Sequence, residues 1–184
     1  MNWEVEFLLF LQEHVRCGFL TVIMKLFTYM ANYGILWIAL CLALLINKKT
    51  RKLGIICSVA LVLNYMTCNV IIKSIVGRTR PFEAIEELTL LIQKPVDTSF
   101  PSGHTSSAFT LACAITCYLS RQRKWVGAIL IFVASMIGIS RMYLGVHYPT
   151  DVLVGMLLGI ATGIIVYYAL RSKIGDTERT DIQA

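Results

Sequence analysis

Apolar residues fall in long blocks, and the polar residues between them fall in short islands. The blocks cover residues 33–46, 53–72, 105–119, 125–140 and 152–170. Each is apolar almost all round rather than on one stripe, the pattern of a helix surrounded by protein or lipid. The shortest lie near the lower limit of about 17 residues for crossing a hydrocarbon core, and each can borrow neighbours, as residues 30–32 extend the first. An all-α, polytopic transmembrane bundle of five to six membrane helices is therefore expected.

The sixth helix depends on the N-terminus. In residues 1–30, Phe7, Leu8, Leu11, Phe19, Leu20, Ile23, Met24 and Phe27 recur at helical spacing, but Glu13, His14 and Arg16 interrupt them. That reads as an amphipathic segment lying in the interface or partly inserted. It has no basic opening and so does not read as a secretory signal. Residues 31–171 are expected to form the bundle, and residues 172–184 a polar cytoplasmic tail.

Composition agrees with this pattern. Of 184 residues, 57% are hydrophobic and only 15% charged, with a mean hydropathy of +0.68. A soluble domain carries about a quarter charged residues. The six cysteines form no CxxC pair, which supports neither a zinc site nor a disulfide framework. The net charge of +6 points to membrane topology and not to nucleic acid, because of where it falls. Lys48, Lys49, Arg51, Lys52, Arg121, Arg123, Lys124, Arg171, Lys173 and Arg179 sit at one set of block ends, which is therefore cytoplasmic. Lys73, Arg78, Arg80, Lys94 and Arg141 sit at the other, where the charge rule disfavours them, and an anionic ligand accounts for them.

Three polar islands share that non-cytoplasmic side. The first runs from Lys73 to Pro81, the second is Pro101-Ser102-Gly103-His104, and the third runs from Ser140 to Asp151. Alone, they read as a basic anchor, a helix start, and a polar turn with a snorkelling Arg141. Because short connections join the blocks, the islands are expected to converge on one pocket. Lys73, Arg80 and Arg141 then offer three cations, the arginines as planar forks matched to phosphate oxygens. Ser102 and Gly103 open a helix whose N–H groups and dipole face an anion. His104 and His147 supply imidazoles for proton transfer and attack near neutral pH. Pro149 sets Asp151 in the first turn of the next helix, within reach of His147, where a carboxylate leaves one ring nitrogen free to attack. Two histidines and an aspartate could instead hold zinc, but the surrounding cations oppose a metal ion. No metal or other cofactor is expected.

In order, Lys73-x6-Arg80-Pro81, Pro101-Ser102-Gly103-His104 and Ser140-Arg141-x5-His147-x3-Asp151 resemble the three-part signature of the type 2 phosphatidic acid phosphatases. These are integral-membrane lipid phosphatases related to the vanadium haloperoxidases. All three parts match at every functional position, over about residues 53–170. The resemblance implies that His147 is the nucleophile that forms a phosphohistidine, that Asp151 orients it, and that His104 protonates the leaving group. It implies that Lys73, Arg80, Ser102, Gly103 and Arg141 hold the phosphoryl oxygens. The implied partner is a lipid phosphate or diphosphate in a bacterial plasma membrane: undecaprenyl diphosphate, phosphatidylglycerol phosphate or phosphatidic acid. The small size leans toward the first. A vanadium-dependent peroxidase and a non-enzymatic anionic-lipid binder are the alternatives. The continuous apolar blocks oppose the first, and the His147–Asp151 pair with His104 opposes the second.

Some residues stay outside this account. Arg78 is read as solvated in preference to aiding an anionic headgroup, Tyr143 and Tyr148 as interfacial anchors, and Asn64 and Asn69 as hydrogen-bonding between helices.

Overall fold

The computed structural model describes residues 3–119 and 121–173, and they are all-helical apart from turns and loops. The helices are α1 (Trp3–Phe10), α2 (Gly18–Met30), α3 (Ile35–Ile46), α4 (Arg51–Tyr65), α5 (Lys73–Val76), α6 (Pro81–Ala84), α7 (Gly103–Tyr118), α8 (Lys124–Tyr143) and α9 (Pro149–Arg171). A π-helical stretch, Met66–Ile72, joins α4 to α5 without a break. By length and composition, three segments can each cross a membrane: Arg51–Ala84, α8 and α9. A fourth appears if α2 and α3, bent by 49°, count as one span. Arg179 and most of the expected tail lie outside the described residues.

The middle of the bundle is α7, packed against α4, α8 and α9, with α3 outside α4 and α2 outside α8. Ten consecutive or near-consecutive α7 residues are buried, from Thr105 to Ile115. That is why this segment is apolar all round yet carries Thr105, Ser106 and Thr110. Their hydroxyls find partners inside the protein: Thr110 Oγ1 donates to the Ser106 carbonyl at 2.9 Å, and Ser106 Oγ donates to Asn64 Oδ1 of α4. The interhelical hydrogen bond expected of Asn64 is therefore present. In contrast, Val59, Phe132, Leu153, Leu157 and Ile165 are exposed. A polar-seamed interior inside an apolar exterior is the arrangement for a bundle in lipid.

Close approach of α7 and α9 depends on Gly155, Gly159 and Gly163. A Cβ at Gly155 would lie 2.7 Å from the Ser102 carbonyl oxygen, and one at Gly163 would meet the Thr110 carbonyl. At the other end of the site, Gly77 (φ +59°) stops α5 in the left-handed conformation that favours glycine. The chain then turns back over the bundle end and carries Arg78 and Arg80 with it.

Candidate active site

All three islands meet at one end of the bundle, as their side chains show. Arg80 NH1 lies 3.3 Å from His147 Nε2 and donates to the Val146 carbonyl at 2.8 Å, which joins the first island to the third. The Ser102 N–H donates to the Asp151 carbonyl at 3.0 Å, which joins the second to the third. Lys73, Arg80, Gly103, His104, Arg141 and His147 border a single cavity of about 800 Å³, with Asn32, Asn64, Asn69 and Asp97 among its other walls. Away from these groups the cavity is walled by Trp37, Ile38, Leu61, Val62 and Met66.

Local structure explains each position. Lys73 continues the helix that began at Arg51, one residue past the π-helical stretch. Such a stretch accommodates an extra residue per turn and turns the following side chains round the axis. Arg141 is in the last turn of α8, buried, with NH1 donating to Thr28 Oγ1 of α2 at 2.7 Å. Its Nε has no hydrogen-bond partner among the described residues. Arg141 is among the residues lining the cavity, where its buried positive charge favours an anion. Ser102 ends the extended entry to α7, and Gly103 and His104 form its first turn. Ser102 is itself fully buried behind the wall, its Oγ 2.9 Å from Thr105 Oγ1. The face presented to the cavity is therefore Gly103 and His104, with Ser102 fixing where the helix begins. His104 Nε2 is 2.9 Å from Asn32 Oδ1, on the connection between α2 and α3.

His147 is buried between α8 and α9. Its Nδ1 faces Asp151 Oδ2 at 3.4 Å, and its Nε2 faces Arg80. An arginine N–H can only donate, so Nε2 is the lone-pair side and Nδ1 the N–H side. Burial, followed by the charges of Arg80, Arg141 and Lys73, holds the His147 imidazole well below its ordinary 6.5. It is therefore neutral at neutral pH, the form a nucleophile needs. Pro149 is the first residue of α9. Asp151 Oδ2 also accepts from the Tyr148 N–H at 2.9 Å and from Ser99 Oγ at 2.5 Å. One carboxylate thus caps α9 and backs His147.

Four residues in this network went unassigned in the sequence. Asp97 bridges the cations: it pairs with Lys73 and, at 2.7 Å, with Arg80 NH2, while its backbone carbonyl accepts from Arg80 Nε at 2.7 Å. Burial alone would raise its carboxyl, but hydrogen bonds and charge from Lys73 and Arg80 outweigh this and hold it far below its ordinary value. One signal pointed to it: Asp97 is the sole acid between Glu87 and Asp151. Ser99, Glu4 and Asn32 carried none. Arg78 is not the solvated residue expected. NH1 donates to Asp151 Oδ1 at 2.7 Å, NH2 to Glu4 Oε2 at 2.6 Å, and the guanidinium lies 3.9 Å from the centre of the Tyr148 ring. Tyr143 and Tyr148, expected as interfacial anchors, are buried instead. The Tyr143 hydroxyl takes the Cys17 N–H at 3.1 Å and lies 2.9 Å from Thr21 Oγ1, which ties α2 to α8. Among the described residues no three His, Cys, Asp or Glu side chains gather as metal ligands.

Fold and cluster together define an integral-membrane helical bundle with a cation-lined cavity and a histidine–aspartate couple at one end. The chain belongs to the PAP2 superfamily, whose family profile matches residues 52–174. It is 36% identical over 136 residues to the undecaprenyl-diphosphatase of Sulfolobus acidocaldarius, an alignment covering 73% of this chain and 64% of that protein. It is 32% identical over 174 residues to undecaprenyl-diphosphatase BcrC of Bacillus subtilis, covering 91% and 83%. The fold is similar to the crystal structure of Aquifex aeolicus LpxE, with a TM-score of 0.76, 31% identity, and coverage of 91% of this chain and 96% of that one.

Proposed function

We propose that this chain is a membrane phosphatase that hydrolyses a lipid phosphate or diphosphate through a phosphohistidine on His147. One observation carries the reading: a buried imidazole with Nδ1 toward Asp151 and Nε2 toward Arg80, in a cavity shared with Lys73, Arg141 and His104. In the first step Nε2 attacks phosphorus. The P–N bond forms, the bond from phosphorus to the leaving oxygen breaks, and His104 gives that oxygen a proton. In the second step water attacks phosphorus and His104 takes its proton. The P–N bond breaks, and inorganic phosphate leaves. Lys73, Arg80, Arg141 and the first-turn N–H groups at Gly103, set in place by Ser102, bind the non-bridging oxygens and stabilise the charge developing on them. These cations supply the positive charge, so no metal enters the proposal.

The substrate we favour is undecaprenyl diphosphate, supported by the similarity to two proteins named as undecaprenyl-diphosphatases. An apolar wall leading from the cations suits a headgroup whose tail stays in the bilayer. We further propose five to six crossings, with α3, α7 and, for the sixth, α2 joining the three long segments. The site faces the non-cytoplasmic side, as the basic residues at the opposite ends of the helices support. The test is phosphate release by the purified protein from undecaprenyl diphosphate, phosphatidylglycerol phosphate and phosphatidic acid. The expected result is release, fastest from the diphosphate. Lys73→Ala, Arg80→Ala and Arg141→Ala should each cost about a hundredfold or more, the scale of a lost transition-state donor. No release from any of the three lipids overturns the reading.

A further inference from the structure

Asp151 has a second oxygen, and its partners lead away from the cavity to the start of the chain. Oδ2 serves the Tyr148 N–H, Ser99 and His147, while Oδ1 accepts from Arg78 NH1 at 2.7 Å. Arg78 NH2 in turn donates to Glu4 Oε2 of α1 at 2.6 Å. The other Glu4 oxygen accepts from the Thr150 N–H at 3.1 Å and the Thr150 hydroxyl at 2.7 Å, one residue before Asp151. Glu4 is 5% exposed and Asp151 fully buried. A carboxylate is costly to bury unless it is paired and hydrogen-bonded. The site bears that cost at Glu4 and compensates it on both oxygens. Yet Glu4 lies outside the 52–174 stretch matched by the family profile.

The row Glu4–Arg78–Asp151 alternates in sign. With Arg78 alone, the pair it forms with Asp151 would be neutral, and the carboxylate's field would be drawn toward the guanidinium. With Glu4 on the far side, the row carries one net negative charge, and its free end faces His147 Nδ1. That matters when Nε2 bonds to phosphorus, because the imidazole ring then becomes positive while Nδ1 keeps its proton. We infer that Glu4 is a positioning residue which acts through Arg78 to keep Asp151 charged and aimed at His147, so that the N-terminal helix completes the active site. This inference rests on the phosphohistidine reading above.

The alternative is that Glu4 only docks α1, and kinetics separate the two. The full-length protein in detergent is compared with Glu4→Gln, Arg78→Gln, the double variant, Arg78→Lys and Thr150→Val, using the lipid that wild type turns over. The readouts are kcat, KM, the inhibition constant of inorganic phosphate and the melting temperature. Glu4→Gln should lower kcat about tenfold, the scale for residues supporting a reactive histidine, and leave KM and phosphate inhibition within about twofold, the mark of an interaction made in the transition state. The double variant should be no worse than the poorer single, because the two act in one row. Arg78→Lys should restore part of the loss seen in Arg78→Gln. Thr150→Val removes a hydroxyl that donates to Glu4 and accepts from Arg78 NH1 at 2.8 Å, but no charge, and so should lower kcat less than Glu4→Gln does. A Glu4→Gln kcat equal to wild type overturns the inference. So does a loss that falls equally on kcat, phosphate inhibition and melting temperature and is matched by Thr150→Val. If wild type itself releases no phosphate, the functional reading fails instead.

Discussion

Arg80 shows how much of the site one side chain can organise. Its Nε and NH2 hold the backbone and the carboxylate of Asp97, and its NH1 holds the Val146 carbonyl beside His147 Nε2. A planar fork with five donors can do this, and a lysine cannot. Asp97 is the counterpart of that fork, and its charge has a pH consequence. Its folded carboxyl titrates below the ordinary 3.8, so as pH falls the unfolded chain takes up the proton first. The stabilisation is whole above the unfolded value and is lost as pH falls through the folded one. Melting curves from pH 7 downward should show Asp97→Asn less stable than wild type above pH 3.8, with the gap closing on further acidification. A constant gap would contradict this. The sequence showed His147 and Asp151 because they are four apart around a proline, a local relation that spacing can express. It hid Asp97 and Ser99 because they lie in an irregular stretch with no period, where position depends on contacts with distant islands. Arg78 was misread for the same reason: its partners Glu4 and Asp151 lie more than seventy residues away on either side.

At the scale of elements, the site depends on how closely α9 approaches α7. Gly155, Gly159 and Gly163 let two backbones nearly touch, so the Ser102 and Asp151 main chains can hydrogen-bond and the two islands share one floor. A Cβ at Gly159 would press on the Ser106 carbonyl and come within 2.9 Å of Phe109 Cβ. Gly159→Leu should therefore cost about 1–3 kcal/mol as overpacking and lower both melting temperature and phosphate release. Wild-type values for both would show that the helices are not held this closely. Block positions were legible from hydropathy alone, and α4, α7, α8 and α9 fall within the apolar blocks or overlap them. The bend between α2 and α3 and the π-helical stretch before Lys73 were not. Both are backbone departures set by tertiary packing, in segments whose residues are as apolar as those of a straight helix.

For the molecule as a whole, the charge pattern supports the proposed orientation, with the site at the end away from the basic loops. Residues 47–50 and 122–124 carry basic side chains and do not line the cavity, while the loop carrying Asp97 does. In a Cys17→Ser background, a cysteine at Lys94, whose side chain is 63% exposed, should react with an impermeant maleimide on intact cells. A cysteine at Lys49 should react only after permeabilisation. The reverse pattern would place the site in the cytoplasm. The helical bundle was legible in the sequence because the bilayer imposes it on composition. The role of α1 was not, because it rests on one buried carboxylate, Glu4, that no hydropathy pattern distinguishes.

The central claim is that His147 carries the phosphoryl group. Its most direct test is rapid mixing of the protein with undecaprenyl diphosphate labelled in its terminal phosphate, alkaline quenching, and mapping of the label. The account predicts an alkali-stable, acid-labile label on His147 in wild type, absent from His147→Ala, with phosphate release lost in the same variant. Phosphate release that persists in His147→Ala, or label that maps to another residue, would contradict it.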